Sequence, residues 1–493
     1  MFYRKKIKTK PFQNKTIVLN LFGENINADS VHLKDGQGTM CYNFENKNGA
    51  LKTSLGFESL KLPVADGSTL KRSLIIFNES DVLKTWHFKY FDHINKREID
   101  KIMFYNADGR LSVFNLFTYD DYTYIITHPE VFESVPVGIN YCMDGEDYML
   151  FSGEGGLYAY TQHMLPVLNE DCPKLLAICK AYENLFIIPK IDRGSVFHTQ
   201  NLDPRELNES ISEIDLTGDI GRLCSLVNFD DYLFIFRDYG IIRCSMYGSA
   251  DNFSISEMYR SATKIFADTI VVCGSMIVFM TQDGIYKFTG SGTHKFELNI
   301  DKIFQNDNNK YATACYFRGK YYLACRLNFD DDEKVGCENK TGYKNNAIII
   351  LDVKTDKFSI TRGIDISSLL SLNAGSLNTI LATFYGEHSN QIGVLNNSGK
   401  IFNTQLPSKW QSAEFDFEKP NKLKIIRKIL IKSKYNCILK IKSDLEEKSI
   451  KIFGQNKLTE INVKIKGKTF QIIISADDEN ASISLLTLNA DIF

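Results

Sequence analysis

The chain reads as all-β: a β-propeller of about six to seven blades, an N-terminal arm with a closing hairpin, and a small C-terminal β-sandwich. Three observations predict this. Two stretches, Asp230–Cys244 and Gly274–Phe288, share one plan: an apolar β-prone run, a turn ending in glycine, and a second β-prone run. Their turn glycines, Gly240 and Gly284, stand 44 residues apart, a spacing that suits a four-stranded blade. Phe (34) and Tyr (24) are abundant against only 10 Pro, which favours strands, and no long amphipathic helical period interrupts them. Both glycines are expected at positive φ, where a side chain would be strained.

Taken in order, residues 1–62 read as an extended arm and a hairpin. Met1–Lys10 is basic (Arg4, Lys5, Lys6, Lys8, Lys10) but no apolar h-region follows, so no secretory signal is expected. The apolar run Thr16–Phe22 is too short to span a bilayer. Asn48-Gly49 is a strong turn signal between β-prone flanks, and Leu51–Leu60 is a candidate to close a ring beside Lys400-Ile401-Phe402.

Residues 63–404 repeat loosely in units of about 35 to 50 residues. The units include Ser73–Phe77, Ile102–Phe114 around Asp108-Gly109, Tyr122–Thr127, and Tyr148–Tyr160 around Ser152–Gly156. Then come Leu175–His198, the two opening stretches, Ala312–Asp352, and Ile380–Phe402 with a turn at Asn396–Gly399. Radial stacking of such sheets leaves only short edges, so a propeller suits the repeat; a pair of β-sandwiches is the competing architecture. Residues 328–346 are polar and read as an exposed loop inside one blade.

Residues 405–493 differ. Within 419–468 there are 15 Lys/Arg against 4 Asp/Glu, yet the runs Lys424–Ile431, Cys437–Ile441, Ile461–Ile465 and Phe470–Ile474 alternate as strands. This predicts a small sandwich with a cationic outer face carrying Lys424, Lys428, Lys440, Lys442, Lys464 and Lys466 as candidate interface residues. Such a face suits an acidic neighbouring subunit, a nucleic-acid backbone, or plain solvent with lysines guarding strand edges. The formal net charge of the whole chain is only -2, so it is no polycation.

Candidate chemistry is sparse. The 11 cysteines include no CxxC pair, and many lie in apolar runs, as Cys244 and Cys273 do; reduced buried thiols are the expectation, which suits assembly in a reducing cytoplasm. Asp108-Gly109 and Asp283-Gly284 suggest sialidase-type Asp boxes, but only Trp86 and Trp410 exist and neither follows a turn, so hairpin chemistry is the simpler reading. The run Asp330-Asp331-Asp332-Glu333 lacks the spacing of a Ca²⁺ loop. Glu154, Asp219 and Asp238 sit at turns where a propeller face would gather carboxylates for glycoside hydrolysis. The 8 histidines are scattered, with no HxH or HExxH, and there is no GxSxG elbow or Walker A loop. No catalytic residue, metal or cofactor is expected.

Two stretches carry a resemblance. One is Asn43–Phe57, with Asn48-Gly49-Ala50-Leu51-Lys52-Thr53-Ser54-Leu55-Gly56-Phe57; the other is Ile214–Phe288, with the runs DYLFIFRDYGI and DGIYKF. Together with a closing β-sandwich they resemble β-propeller tail proteins of bacteriophages and prophages, the nozzle or tail-tube-B-like group of short-tailed phages. Thr53-Ser54 stand where arginine is usual in that group. The resemblance implies a structural virion protein, assembled in the host bacterial cytoplasm. It implies a ring of copies, six-fold in nozzle proteins, bordering a channel for DNA without sequence-specific binding. The neighbouring partners would be tail and adaptor proteins. The alternative is a carbohydrate-binding or carbohydrate-acting propeller for host-surface glycan. An intracellular adaptor propeller is the third class, but the chain lacks the Trp-Asp and Gly-Gly repeats.

Overall fold

The computed structural model describes residues 13–493 apart from 20, 25–36, 64–70, 74–79, 117–124, 129–130, 162–163, 183, 200–202, 207–212, 247–252, 305–308, 330–332, 376 and 477–480. Met1–Lys10, most of Ser73–Phe77 and Asp330–Asp332 therefore lie outside the described residues.

Among the described residues, hydrogen-bonded hairpins build seven antiparallel blades. Blade 1 comprises Val82–Asp92, Arg97–Asn106, Leu111–Asn115 and Ile125–His128, and blade 2 comprises Val137–Met143, Glu146–Gly153, Gly156–Tyr160 and Val167–Asn169. Blade 3 holds Leu175–Ala181, Asn184–Pro189, Ser195–His198 and Glu213–Asp215; blade 4 holds Leu223–Phe229, Tyr232–Arg237, Gly240–Met246 and Phe253–Arg260. Blade 5 is Val271–Val272, Ile277–Thr281, Gly284–Phe288 and Thr293–Lys295; blade 6 is Thr313–Phe317, Lys320–Cys325, Ala347–Asp352 and Phe358–Arg362. Blade 7 takes Ile366–Ala374, Leu377–Phe384 and Ile392–Asn396 from the end of the repeat.

Its fourth strand comes from the other end of the chain. Gly56–Ser59 runs antiparallel to Ile392–Asn396, with Phe57 opposite Leu395, and Ile401 bridges Phe57 in parallel. The closure expected of Leu51–Leu60 comes from Gly56–Ser59 alone, while Ala50–Thr53 pairs in the C-terminal sandwich. The ring is completed where the first strand of blade 7 packs on that of blade 1. Leu60, Val82, Ile102, Phe104, Leu372 and Ile392 share one apolar cluster at that seam. Apolar burial between sheets replaces water at every seam and supplies the main stabilisation. Between blades 4 and 5, for example, Phe234 meets Phe288 edge-on at 5.0 Å and Phe236 meets Phe279 at 5.6 Å.

Turn chemistry corrects one expectation. Gly284 has φ 154, but Gly240 does not adopt positive φ. Gly240 is needed because a Cβ there would sit 2.7 Å from the Tyr259 carbonyl oxygen and 2.9 Å from Ile220 Cδ1. In that blade the left-handed residues are Asp230 (φ 50) and Asp231 (φ 60), which turn the first strand into the second. Asn48 (φ 56) and Gly49 (φ 77) make the expected hairpin turn.

The second unit is a two-sheet sandwich made from both ends of the chain. One sheet orders Phe44–Lys47, Ala50–Thr53, Ser482–Ile492, Lys424–Ser433 and Leu458–Gly467, with Gln13–Leu19 also paired to Ser482–Ile492. The other orders Phe22–Glu24, Gln37–Tyr42, Ser408–Ser412, Phe470–Ala476, Cys437–Ser443 and Glu447–Ile452. The core joins Ile17, Leu19, Phe44 and Leu51 to Trp410, Ile429, Leu439, Ile474 and Leu488. The strands over 13–53, expected in a separate N-terminal unit over 1–62, are therefore sandwich strands, paired with strands beyond the expected boundary at 404.

Candidate functional site

In an antiparallel blade the connection from second to third strand and the connection to the next blade leave from the same face. Three such segments meet at the seam of blades 6 and 7. They are the insertion between Cys325 and Ala347, the linker Gly363–Asp365, and the loop between Phe384 and Ile392. With Ile401, Thr404 and Leu406 they enclose a cavity of about 390 Å³.

Backbone packing fixes its wall. Gly336 (φ 50) lies so close to Gly363 (φ 96) that a Cβ on Gly336 would fall 2.2 Å from the Gly363 carbonyl oxygen. Only glycine allows that approach. Cys337 N–H donates to the Gly363 carbonyl (3.0 Å), and Gly363 N–H donates to Asn346 O (2.7 Å). The Asp365 carboxylate accepts from the N–H groups of Asn345 (2.8 Å) and Lys344 (3.1 Å). Burial pushes its pKa up to about 6, while those backbone donors pull the other way. The polar insertion is thus not a free loop: Glu338, Asn345 and Asn346 are buried within it.

Aromatic rings line the cavity. Tyr385 packs edge-on against Tyr311 at 6.2 Å, and burial pushes its phenol up to about 12. His388 lies 4.9 Å from the Phe402 ring, and burial lowers its pKa, so it is neutral at pH 7. Tyr343 stacks under the Arg326 guanidinium at 4.5 Å. At the mouth, Lys340 from the insertion pairs with Glu387 from the blade 7 loop.

Behind this wall the insertion joins the sandwich. Arg362 and Glu338 form a buried ion pair at 2.9 Å, and Arg362 Nη2 also donates to Glu333 O at 2.6 Å. Glu333 in turn accepts from Tyr42 Oη (2.9 Å) and Lys409 Nζ (2.6 Å) of the sandwich. Asn43, fully buried with φ 60, is the hub. Its side chain donates to the carbonyls of Arg362 (3.2 Å) and Pro407 (2.8 Å) and accepts from Arg362 N–H (2.8 Å). Its N–H donates to Ile360 O (2.9 Å), and its carbonyl accepts from Ser408 Oγ (3.1 Å). Glu333, expected in an exposed loop, holds the two units together instead.

The candidate lysines divide between sheets. Lys424, Lys428, Lys464 and Lys466 belong to one sheet, Lys440 and Lys442 to the other. Lys424 is a correction: it is buried, its Nζ donates to Lys468 O at 2.7 Å, and burial lowers its pKa. A bulge at Arg427 shifts the register, which puts Lys424 on the inward parity with Ile426. Lys428 pairs with Glu460 and Lys440 with Glu447, each at 2.7 Å. Lys442, Lys464 and Lys466 are exposed and, among the described residues, have no ion-pair partner. Ser443 Oγ donates to Lys466 O at 2.9 Å, so these strand ends meet across the two sheets.

The turn carboxylates do not share a site: each has its own cation. Glu154 pairs with Lys174, Asp219 with Arg260 (2.8 Å), and Asp238 with Arg193 (3.6 Å) and Lys264 (3.7 Å). Asp283 does turn chemistry. It accepts from Thr263 (2.7 Å), Tyr286 (2.9 Å) and Thr281. Burial opposes its charge, but these hydroxyls and Lys295 outweigh it and hold the carboxyl down at about 2. The cysteines are all free thiols; burial pushes Cys224 up to about 12, far from a reactive thiolate.

The chain is structurally similar to β-propeller proteins. BBS1N, in a complex with ARL6DN soaked with lead, aligns at TM-score 0.43 and 10% identity over 69% of this chain and 97% of that one. The extracellular domain of the one component system BT4673 from B. thetaiotaomicron gives 0.41 and 9% over 92% and 63%. BamB from Moraxella catarrhalis gives 0.34 and 11% over 64% and 96%. At such scores the propeller assignment rests on strand order and ring closure. No family model matches the chain, and no curated protein matches its sequence.

Sequence reasoning missed the cavity because its walls come from four separate stretches. The signal that was available is local: glycines at 336, 342, 363 and 386 beside Tyr343 and Tyr385.

Proposed function

We propose that this chain is a non-catalytic structural subunit of a phage tail that assembles into a ring, with the sandwich docking on an acidic neighbouring tail or adaptor protein. The observation that carries the reading is the junction around Asn43. Both chain ends are knitted into one sandwich, and buried polar bonds tie that sandwich to blade 6. Buried polar networks with every member satisfied hold one arrangement, as a wall-forming subunit requires. The stretch that carries the resemblance, Asn43–Phe57, supplies the hub, a sandwich hairpin and the strand that closes the propeller. DNA would pass through the assembled ring without base-specific contacts.

The docking surface is narrower than six lysines. Of the six, Lys442, Lys464 and Lys466 at the meeting strand ends are the cations free to pair with a partner. Replacing all three with Glu should leave the fold intact and block incorporation into particles. Incorporation at normal copy number would contradict the docking role. The wild-type contact should weaken with salt, since screening acts over about 8 Å at 0.15 M.

A further inference from the structure

We propose that the cavity at the blade 6–7 seam binds a neutral saccharide unit. Three observations point to that chemistry. Its volume of about 390 Å³ falls in the range of small-ligand sites, about 300–1,000 Å³. Its lining combines the aromatic residues Tyr343, Phe384, Tyr385 and His388 with the hydroxyl-bearing Thr341 and Thr404. A pyranose needs such a mixture: its C–H face packs on an aromatic ring while its hydroxyls exchange hydrogen bonds with convergent polar groups.

The third observation is the charge state. Every charged group at the wall already has a partner. Lys340 pairs with Glu387, and Asp365 is held by two backbone N–H groups. His388 is kept neutral by burial. No charge at the wall is left over to pair with an anionic or cationic ligand, whereas a neutral polyol needs none. The wall is also formed in advance. The Gly336–Gly363 contact and the bonds of Asp365 fix the insertion before any ligand arrives, which lowers the ordering cost of binding. The cavity opens on the face where blade-to-blade connections gather, the usual place for binding residues on a rigid scaffold.

This proposal goes beyond the tail-subunit reading and is independent of it, because the cavity lies within one chain. The test uses the full chain and ligand-observed NMR with methyl glycosides of glucose, galactose and N-acetylglucosamine. N-acetylneuraminic acid and glucosamine serve as anionic and cationic probes. The expected result is saturation transfer from a neutral glycoside with affinity in the millimolar range. Tyr385→Ala should weaken it on the order of tenfold. Because Tyr385→Ala also removes packing on Tyr311, a second variant, Thr341→Trp, fills the cavity from an exposed position and should abolish binding with an unchanged melting temperature. Transfer to none of the neutral glycosides, a preference for a charged probe, or binding that survives Thr341→Trp would each overturn the proposal. Oligomeric state, measured on the same samples, should be the same in wild type and both variants.

Discussion

In blade 4 Arg237 pairs with Gly240 across a two-residue turn, whereas in the sandwich Gln13 pairs with Ile492 at the far end of the chain. The propeller is built from local hairpins and needs one distant strand, Gly56–Ser59, to close. The sandwich has local hairpins too but depends on several distant strands: Gln13–Leu19, Gln37–Tyr42 and Ala50–Thr53 all pair with strands beyond residue 407. Local pairing has a low loop-closure cost and can form early; distant pairing must wait for the ends to meet. The difference teaches that the sandwich is less an appended domain than a clamp on both chain ends, seated on blade 6.

The largest expected effect follows from that clamp. Removing residues 408–493 deletes Trp410 and every C-terminal strand, stranding Phe44, Leu51 and Leu19 without a core. The product should aggregate or lose residues 13–53 to limited proteolysis. A soluble fragment with those residues protected would break the comparison. Next comes the buried pair at the junction. Arg362→Met leaves Glu338 charged, buried and unpaired, which should cost about 3–5 kcal/mol in denaturant unfolding. A change under about 1 kcal/mol would mean that this pair does not hold the propeller side of the junction.

A smaller loss is expected for Asn43→Gly. Glycine keeps the left-handed backbone but removes three side-chain hydrogen bonds, so about 1–3 kcal/mol should be lost. If the clamp is real, hydrogen exchange in Gln37–Tyr42 should quicken more than in blade 4.

The smallest effects concern two propeller carboxylates with opposite pH signatures. Asp283 is held at about 2, below the unfolded value of about 3.9, so its contribution is present above pH 4 and lost as pH falls through 2. Asp365 is raised to about 6, so its contribution is present below pH 4 and lost as pH rises through 6. Melting curves from pH 2 to 8 should therefore flatten at the acid end in Asp283→Asn and between pH 4 and 6 in Asp365→Asn. Asp283 is partly exposed, so at neutral pH its substitution should cost less than about 1 kcal/mol. Identical pH profiles for both variants and wild type would remove this distinction.

The blades were legible in the sequence because their signals are local. Asn48-Gly49, Asp108-Gly109 and Asp283-Gly284 mark real turns, and strands such as Ile277–Thr281 are unbroken apolar runs. Val82–Asp92, the first strand of blade 1, was missed because Lys84, His87 and Lys89 break up its apolar pattern. Asp230 and Asp231 open a stretch whose pattern marks it as strand, yet they make the left-handed turn that precedes that strand, while the next turn, which Gly240 closes, needs no positive φ. The sandwich lysines alternate as expected only beyond the bulge at Arg427, which no local pattern announces. The cavity was illegible because close approach of Gly336 to Gly363 is a tertiary fact, and a glycine in a polar stretch reads as a turn.

The central claim, a structural subunit that forms a ring, is tested most directly by light scattering of the purified full chain at micromolar concentration, with negative-stain images of the same sample. The account predicts a closed ring near six times the 56.3 kDa protomer mass. A strict 56.3 kDa monomer that is also absent from phage particles would contradict it.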